Sequence, residues 1–169
     1  MEITNFQRYY LTPKLGEGNH GIVYAISPDH AVKLSKNCSL TRELNHLVNF
    51  YENGVSVPEP QGIFSVEIRP APISLWNTQL EGLVMQRLYG TLVNQLDGDL
   101  REMADYLLKL ETIKLLELGY IKTKSRQNTM YDLTEDRVYI IDMSDVCPFL
   151  SPESNEVRIR LLEQFRREV

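Results

Sequence analysis

The chain is poor in cysteine and in clustered positive charge, and it contains no long apolar run. Its two cysteines, Cys38 and Cys147, form no CxxC and no ligand pattern with His20, His30 or His46. That spacing argues against structural zinc and reads as two reduced thiols in a cytosol. No stretch approaches the ~18 apolar residues of a membrane-spanning helix. The opening Met-Glu-Ile-Thr-Asn-Phe-Gln lacks the basic start and apolar core of a cleaved signal peptide. The net charge is −5, and the basic groupings are confined to Lys122, Lys124 and Arg126 and to Arg166 and Arg167. Nucleic acid and anionic membrane are therefore poor partners, because neutralising phosphates needs clustered Lys and Arg. Internal repeats, low-complexity tracts and linkers are also missing. What remains is an ordinary globular composition, 43% hydrophobic and 24% charged in 169 residues, enough for one domain.

The first half reads as strands around one helix. Residues 11–15 and 21–26 flank a glycine turn, and 31–34 follow Ser27-Pro28-Asp29, which predicts an antiparallel meander. Leu40, Leu44, Leu47, Val48 and Tyr51 fall at helical spacing, with Ser39 as N-cap and Gly54 as the stop. Strand character returns at 62–68 and 82–88 on either side of a loop holding Pro70 and Pro72. The second half opens with a helix carrying Leu100, Met103, Ala104, Leu107 and Leu108, capped by Asp99 and Glu102 and ended by Gly119. A hairpin of 129–131 and 137–141 is expected next. A last amphipathic helix over about 156–168 follows, with Val157, Leu161, Leu162 and Phe165 on one side. That stripe should dock on the rest of the chain and leave Arg158, Arg166 and Arg167 outward for a partner.

The sharpest local signal is Leu15-Gly16-Glu17-Gly18-Asn19-His20-Gly21-Ile22-Val23-Tyr24. A dinucleotide site would start a helix inside such a motif, and a P-loop would need Gly-Lys-Ser/Thr. Here β-branched and aromatic residues continue as a strand. A glycine turn between antiparallel strands can instead lie over a triphosphate and offer it backbone N–H groups. Ala31-Val32-Lys33-Leu34 places a lysine inside the next apolar strand, where it is costly to bury unpaired. Glu43 on the following helix is the available counter-ion.

In this order the motifs resemble the protein-kinase-like superfamily, over roughly residues 11 to 145. The resemblance implies an α+β bilobal fold, with an N-lobe sheet and one helix over about 1–88 and a much reduced helical C-lobe over about 89–169. It implies ATP with Mg²⁺ (or Mn²⁺) as the ligand. Gly16, Gly18, Gly21 and Val23 would cover the nucleotide, while Lys33, braced by Glu43, would reach the α- and β-phosphates. Leu83-Val84-Met85-Gln86-Arg87-Leu88 resembles the strand entering the hinge, with Met85 as gatekeeper and the backbone of Gln86 to Leu88 against adenine. Asn128 and Asp142 resemble the catalytic-loop asparagine and the aspartate of Asp-Phe-Gly that hold the metal. Met143-Ser144 stands in place of Phe-Gly.

Two departures bear on activity. The family's catalytic aspartate lies five residues before the metal-binding asparagine, and that position is Thr123, whose hydroxyl is no base near neutral pH. Losing a positioned base removes ~10²–10⁴ in rate. The 27 residues after Asp142 contain no Ala-Pro-Glu and leave no room for the usual peptide platform. The pattern resembles minimal kinases of bacterial effectors and viruses, which implies a protein partner and raises delivery into a host cell. Two functions stay open: a pseudokinase-type interaction module acting on a protein partner, and an active atypical transferase moving phosphate or AMP.

Overall fold

A computed structural model describes residues 13–36, 38–67, 79–122 and 126–169. Leu11, Pro70, Pro72, Thr123 and Lys124 lie outside these. The chain divides into two compact units, Met1–Val48 with Glu59–Arg87, and Asn49–Pro58 with Leu88–Val169.

The first unit is a five-stranded antiparallel sheet ordered β1-β2-β3-β5-β4. The strands are β1 (Lys14–Gly18), β2 (Gly21–Ala25), β3 (His30–Ser35), β4 (Pro60–Glu67) and β5 (Gln79–Gln86). Asn19-His20 closes the β1–β2 hairpin, where Gly18 faces Gly21. The Ser27 hydroxyl accepts from the amides of Asp29 and His30 at 3.2 and 3.0 Å. That local bond makes the expected turn into β3. Strand alternation sends Val32 to one face and Ala31 and Lys33 to the other. Val32, Val66 and Val84 form the core of the first face, with Tyr24, Leu34, Phe64 and Leu80 against them. A Cβ on Gly82 would collide with Val32 Cγ2, so only glycine fits there.

The helix α1 (Leu40–Glu52) begins and ends as its sequence dictates. Ser39 Oγ accepts from the Arg42 amide at 3.3 Å. At the far end Gly54 adopts φ 73°, and the Val55 and Gly54 amides return to the carbonyls of Phe50 and Tyr51 at 3.0 and 3.1 Å, a Schellman closure. Phe50, absent from the expected stripe, is fully buried, whereas Tyr51 is 46% exposed.

The second unit is built on α2 (Gly98–Glu117) and a three-stranded sheet ordered β6-β8-β9. Its strands are β6 (Thr91–Leu92), β8 (Thr129–Asp132) and β9 (Arg137–Ile140), while β7 (Tyr120–Lys122) pairs with β10 (Val146–Pro148). The buried face of α2 is Ala104, Leu108, Glu111, Leu115 and Leu116, and Leu100 and Met103 are exposed. The capping box read at Asp99 and Glu102 does not form, since Asp97 holds the N-cap and Asp99 is already helical. Gly119, at φ 86°, ends the helix as expected. Ala104, Val93, Leu96, Tyr131 and Val138 make the core beneath it.

The segment Val55-Ser56-Val57 is threaded into this unit. The Ser56 amide donates to Glu111 Oε2 at 2.7 Å, its carbonyl accepts from Ile140, and its hydroxyl accepts from Arg137. Phe50 meets Tyr120 edge-on, with centroids 5.0 Å apart.

The last helix, α3 (Pro152–Glu168), starts four residues earlier than expected, at a Ser151–Ser154 capping box with proline in the first turn. It packs on α2, yet none of its residues is buried. Arg158 turns toward α2, while Arg166 stays exposed and pairs with that helix at its surface. Arg158 Nη1 donates to the Leu116 carbonyl at 3.0 Å, and Arg166 pairs with Glu117 at 2.6 Å. A cation on the C-terminal carbonyls of a helix is favourable. Arg158→Ala should therefore lower unfolding free energy by about 1 kcal/mol, read as an earlier urea midpoint with unchanged slope, whereas Arg167→Ala should leave the midpoint in place.

Candidate functional site

In the first unit the glycine turn combines open backbone with firm anchoring. No atom lies within 4 Å of where a Cβ would sit on Gly16 or Gly18, so that side of the turn is open to a ligand. Gly21 has a different reason to be glycine, because a Cβ there would strike the Leu34 carbonyl. Val23 is half-buried and faces Lys33 across β2–β3. The Lys36 amide donates to the His20 carbonyl at 3.2 Å, and His20 Nδ1 contacts Cys38 Sγ at 3.1 Å. Between the glycines, Glu17 is held by Lys14 and Lys36, and hydrogen bonds from those two ammoniums bring its carboxyl down to about 2. Its negative charge is thus matched locally.

Lys33 Nζ meets Glu43 Oε1 at 2.6 Å, with the two residues 4% and 3% exposed. The predicted pair is formed. The carboxylate is only half satisfied, since Glu43 Oε2 is buried with no hydrogen-bond partner. At the end of β5, Met85 is buried opposite Ala31 and Pro60. The Gln86 and Arg87 amides donate to the carbonyls of Glu59 and Asp29, each at 2.8 Å. Two of the donors expected to face adenine are thereby engaged within the sheet.

In the second unit a hairpin places Asn128 and Asp142, the two residues expected to hold a metal. Beyond the Thr129–Ile140 pair, the Ile141 amide donates to the Asn128 carbonyl at 3.0 Å. This extra rung carries Asn128 and Asp142 to the same end of the β8–β9 ladder. Asp142 Oδ1 accepts from both the amide and the hydroxyl of Ser144, at 3.0 and 2.7 Å. Asn128 Nδ2 donates to Asp145 Oδ2 at 3.2 Å. Lys122, buried on β7, donates its ammonium to the Asp142 carbonyl. Met143 is 1% exposed. Carboxylate and amide oxygens at a half-buried position suit a hard divalent cation that keeps water and phosphate as its other ligands. Among the described residues no cluster of three or more His, Cys, Asp or Glu could hold a metal alone.

Sequence reasoning missed Lys122 as a site residue. Its signal was a lysine at the end of the apolar Tyr120-Ile121 pair, the same kind that singled out Lys33. Leu88 is half-buried at the start of the second unit.

No family model matches the chain, and no curated protein matches it either. Solved structures do. One is the Rio2 kinase of Chaetomium thermophilum in an ADP/Mg²⁺-phosphoaspartate complex, with TM-score 0.57 and 18% identity over 94% of this chain and 55% of that one. Another is WbdD, with TM-score 0.59 and 14% identity over 94% and 45%. The chain has a protein-kinase-like fold. It spans about half the length of these structures. No helix among the described residues is long and apolar enough to cross a membrane.

Removing one member of a buried ion pair leaves the other charge uncompensated. Lys33→Met should accordingly cost about 3 kcal/mol in urea denaturation, and Lys33→Met with Glu43→Leu should regain most of it. A single variant as stable as the native protein would show that water reaches the pair.

Proposed function

We propose that the protein binds ATP together with Mg²⁺ or Mn²⁺, and that the loaded form acts as a pseudokinase-type module that engages a protein partner. The observation that carries this reading is the Lys33–Glu43 pair, shut off from water with one carboxylate oxygen unpartnered. Stability alone does not account for it, because apolar side chains of similar volume would often do as well or better. A phosphate-binding lysine kept in place by a carboxylate does account for it. The open side of Gly16 and Gly18 and the Lys33 ammonium would serve the phosphates, and Asn128 and Asp142 would serve the metal. Adenine, beside Val23 and Met85, would use the Gln86 carbonyl and the backbone of Leu88, because the intervening amides are engaged. The ADP and Mg²⁺ of the Rio2 complex show the fold holding such a ligand in another protein.

Thr123 at the position of the family's base favours binding over protein phosphorylation. Beyond Asp142 the chain passes directly through β10 into α3, without an Ala-Pro-Glu segment to seat a peptide. The assembled Lys33–Glu43 pair favours the second reading, an active atypical transferase of phosphate or AMP, because working kinases need that pair formed. Incubation with ATP labelled at the γ- or the α-phosphate separates these readings, since label retained on protein in either case shows transfer.

In a thermal titration ATP with Mg²⁺ should raise the melting temperature, by an amount equivalent to about 2.7 kcal/mol at a hundredfold excess over Kd. Asp142→Ala should remove the metal-dependent part. No metal-dependent stabilisation of the native protein by ATP or ADP would sink the assignment. Thr123→Asp should bind nucleotide as the native chain does and raise transfer toward the ~10²–10⁴ that a positioned base contributes. Loss of a native activity in that variant would instead assign Thr123 a part in it.

A further inference from the structure

The two residues that follow Met143 in this chain, Ser144 and Asp145, each hold one of the proposed metal ligands. Ser144 donates twice to a single oxygen of Asp142, from its amide at 3.0 Å and its hydroxyl at 2.7 Å. A carboxylate gripped by two donors on one oxygen cannot rotate about its own axis without breaking both bonds. Asp145 acts on the other ligand. Its carboxylate oxygen Oδ2 accepts from Asn128 Nδ2, 3.2 Å away, so the Asn128 amide turns its NH₂ end toward Asp145. The Asn128 oxygen, which is the end able to bind a cation, is thereby turned away from Asp145. Both contacts lie in one unit and come from one short segment, Asp142-Met143-Ser144-Asp145.

We propose that Ser144 and Asp145 are positioning residues that preset Asp142 and Asn128 for a divalent cation, an inference that rests on the metal-binding reading above. Neither needs to touch the metal. Outer-shell partners of this kind are worth about 10- to 100-fold in metal affinity, because they fix the orientation that an unsupported ligand would have to find on binding. The donor–acceptor chemistry also sets which substitutions are tolerated. Asparagine at 145 can still accept from Asn128 through its carbonyl, and leucine cannot. Threonine at 144 keeps the hydroxyl, and glycine keeps only the amide.

The test is Mn²⁺ binding to the ATP-loaded full chain, followed by the loss of the free-ion paramagnetic resonance signal, beside ATP binding in chelator. Asp145→Leu should weaken Mn²⁺ binding about tenfold and leave chelator-phase ATP binding unchanged, while Asp145→Asn should stay within about threefold of native. Ser144→Gly should weaken Mn²⁺ binding by several-fold, with Ser144→Thr restoring it. These serine variants decide the matter if Asp145→Leu does not fold. Native Mn²⁺ affinity in both Asp145→Leu and Ser144→Gly would overturn the proposal while leaving the metal site standing. An absence of Mn²⁺ binding by the native chain would overturn the metal reading and this inference together.

Discussion

A lysine ammonium and a glutamate carboxylate 2.6 Å apart and nearly shut off from water are the constraint around which the first unit is arranged. Desolvating two ions costs several kcal/mol each, and their attraction offsets that only in good geometry. The geometry here comes from two elements that the sequence specifies independently. β3 must alternate so that Val32 enters the valine core and Lys33 takes the opposite face. Helix α1 must begin at Ser39, which places Glu43 in its first turn. A shift of one residue in either element would separate the charges and strand both. The anchored glycine turn, tied through Lys36 and Cys38 to the connection between β3 and α1, extends the same constraint to the hairpin above it.

Those local rules explain why so much of the fold was legible in the sequence. Turn chemistry at Ser27, the caps at Ser39 and Gly54, the glycine stop at Gly119 and the hairpin at 129–140 are decided within a few residues of themselves. The misreadings share one cause. The faces of α2 and α3 are set by what packs on them, and periodicity does not reveal that. Leu100 and Met103 look like core by spacing but lie on the exposed side, while Glu111, polar by type, is buried because the Ser56 amide needs its oxygen. Arg158 looks like surface charge, but the unsatisfied carbonyls at the end of α2 hold it inward. In the candidate site the Lys33–Glu43 pair was legible, and the contacts of Ser144 and Asp145 with Asp142 and Asn128 were not.

Glu111 shows what a buried charge can do without any role in chemistry. It accepts from the Ser56 amide and from Lys114, whose ammonium also reaches the Gly54 carbonyl. Together these groups satisfy backbone that leaves α1, and the buried Ser56 amide would otherwise lack this partner, a cost of about 1–3 kcal/mol. Glu43 is the contrasting case, with one oxygen paired and the other unpartnered. A satisfied carboxylate reads as structure, and a half-satisfied one asks for a ligand-directed reason. That contrast between two buried glutamates is what motivates the proposal at Lys33 and Glu43.

Ser144, which stands where the resemblance expects glycine, bears on the turn after Asp142. Glycine is favoured where the chain must enter or visit left-handed conformations. Among the described residues, Asp136 in the hairpin turn is the non-glycine residue with positive φ, and Ser144 is not in that region. The turn after Asp142 therefore has no need of glycine, and a side chain can be accommodated without strain. What the serine adds is a hydroxyl bond to the same carboxylate that its amide already holds. Conformational freedom is exchanged for orientation at the carboxylate proposed to bind the metal. With Met143 buried behind it and Lys122 on the Asp142 carbonyl, the segment is tied on three sides. These contacts hold the segment from Asp142 to Asp145 in one arrangement.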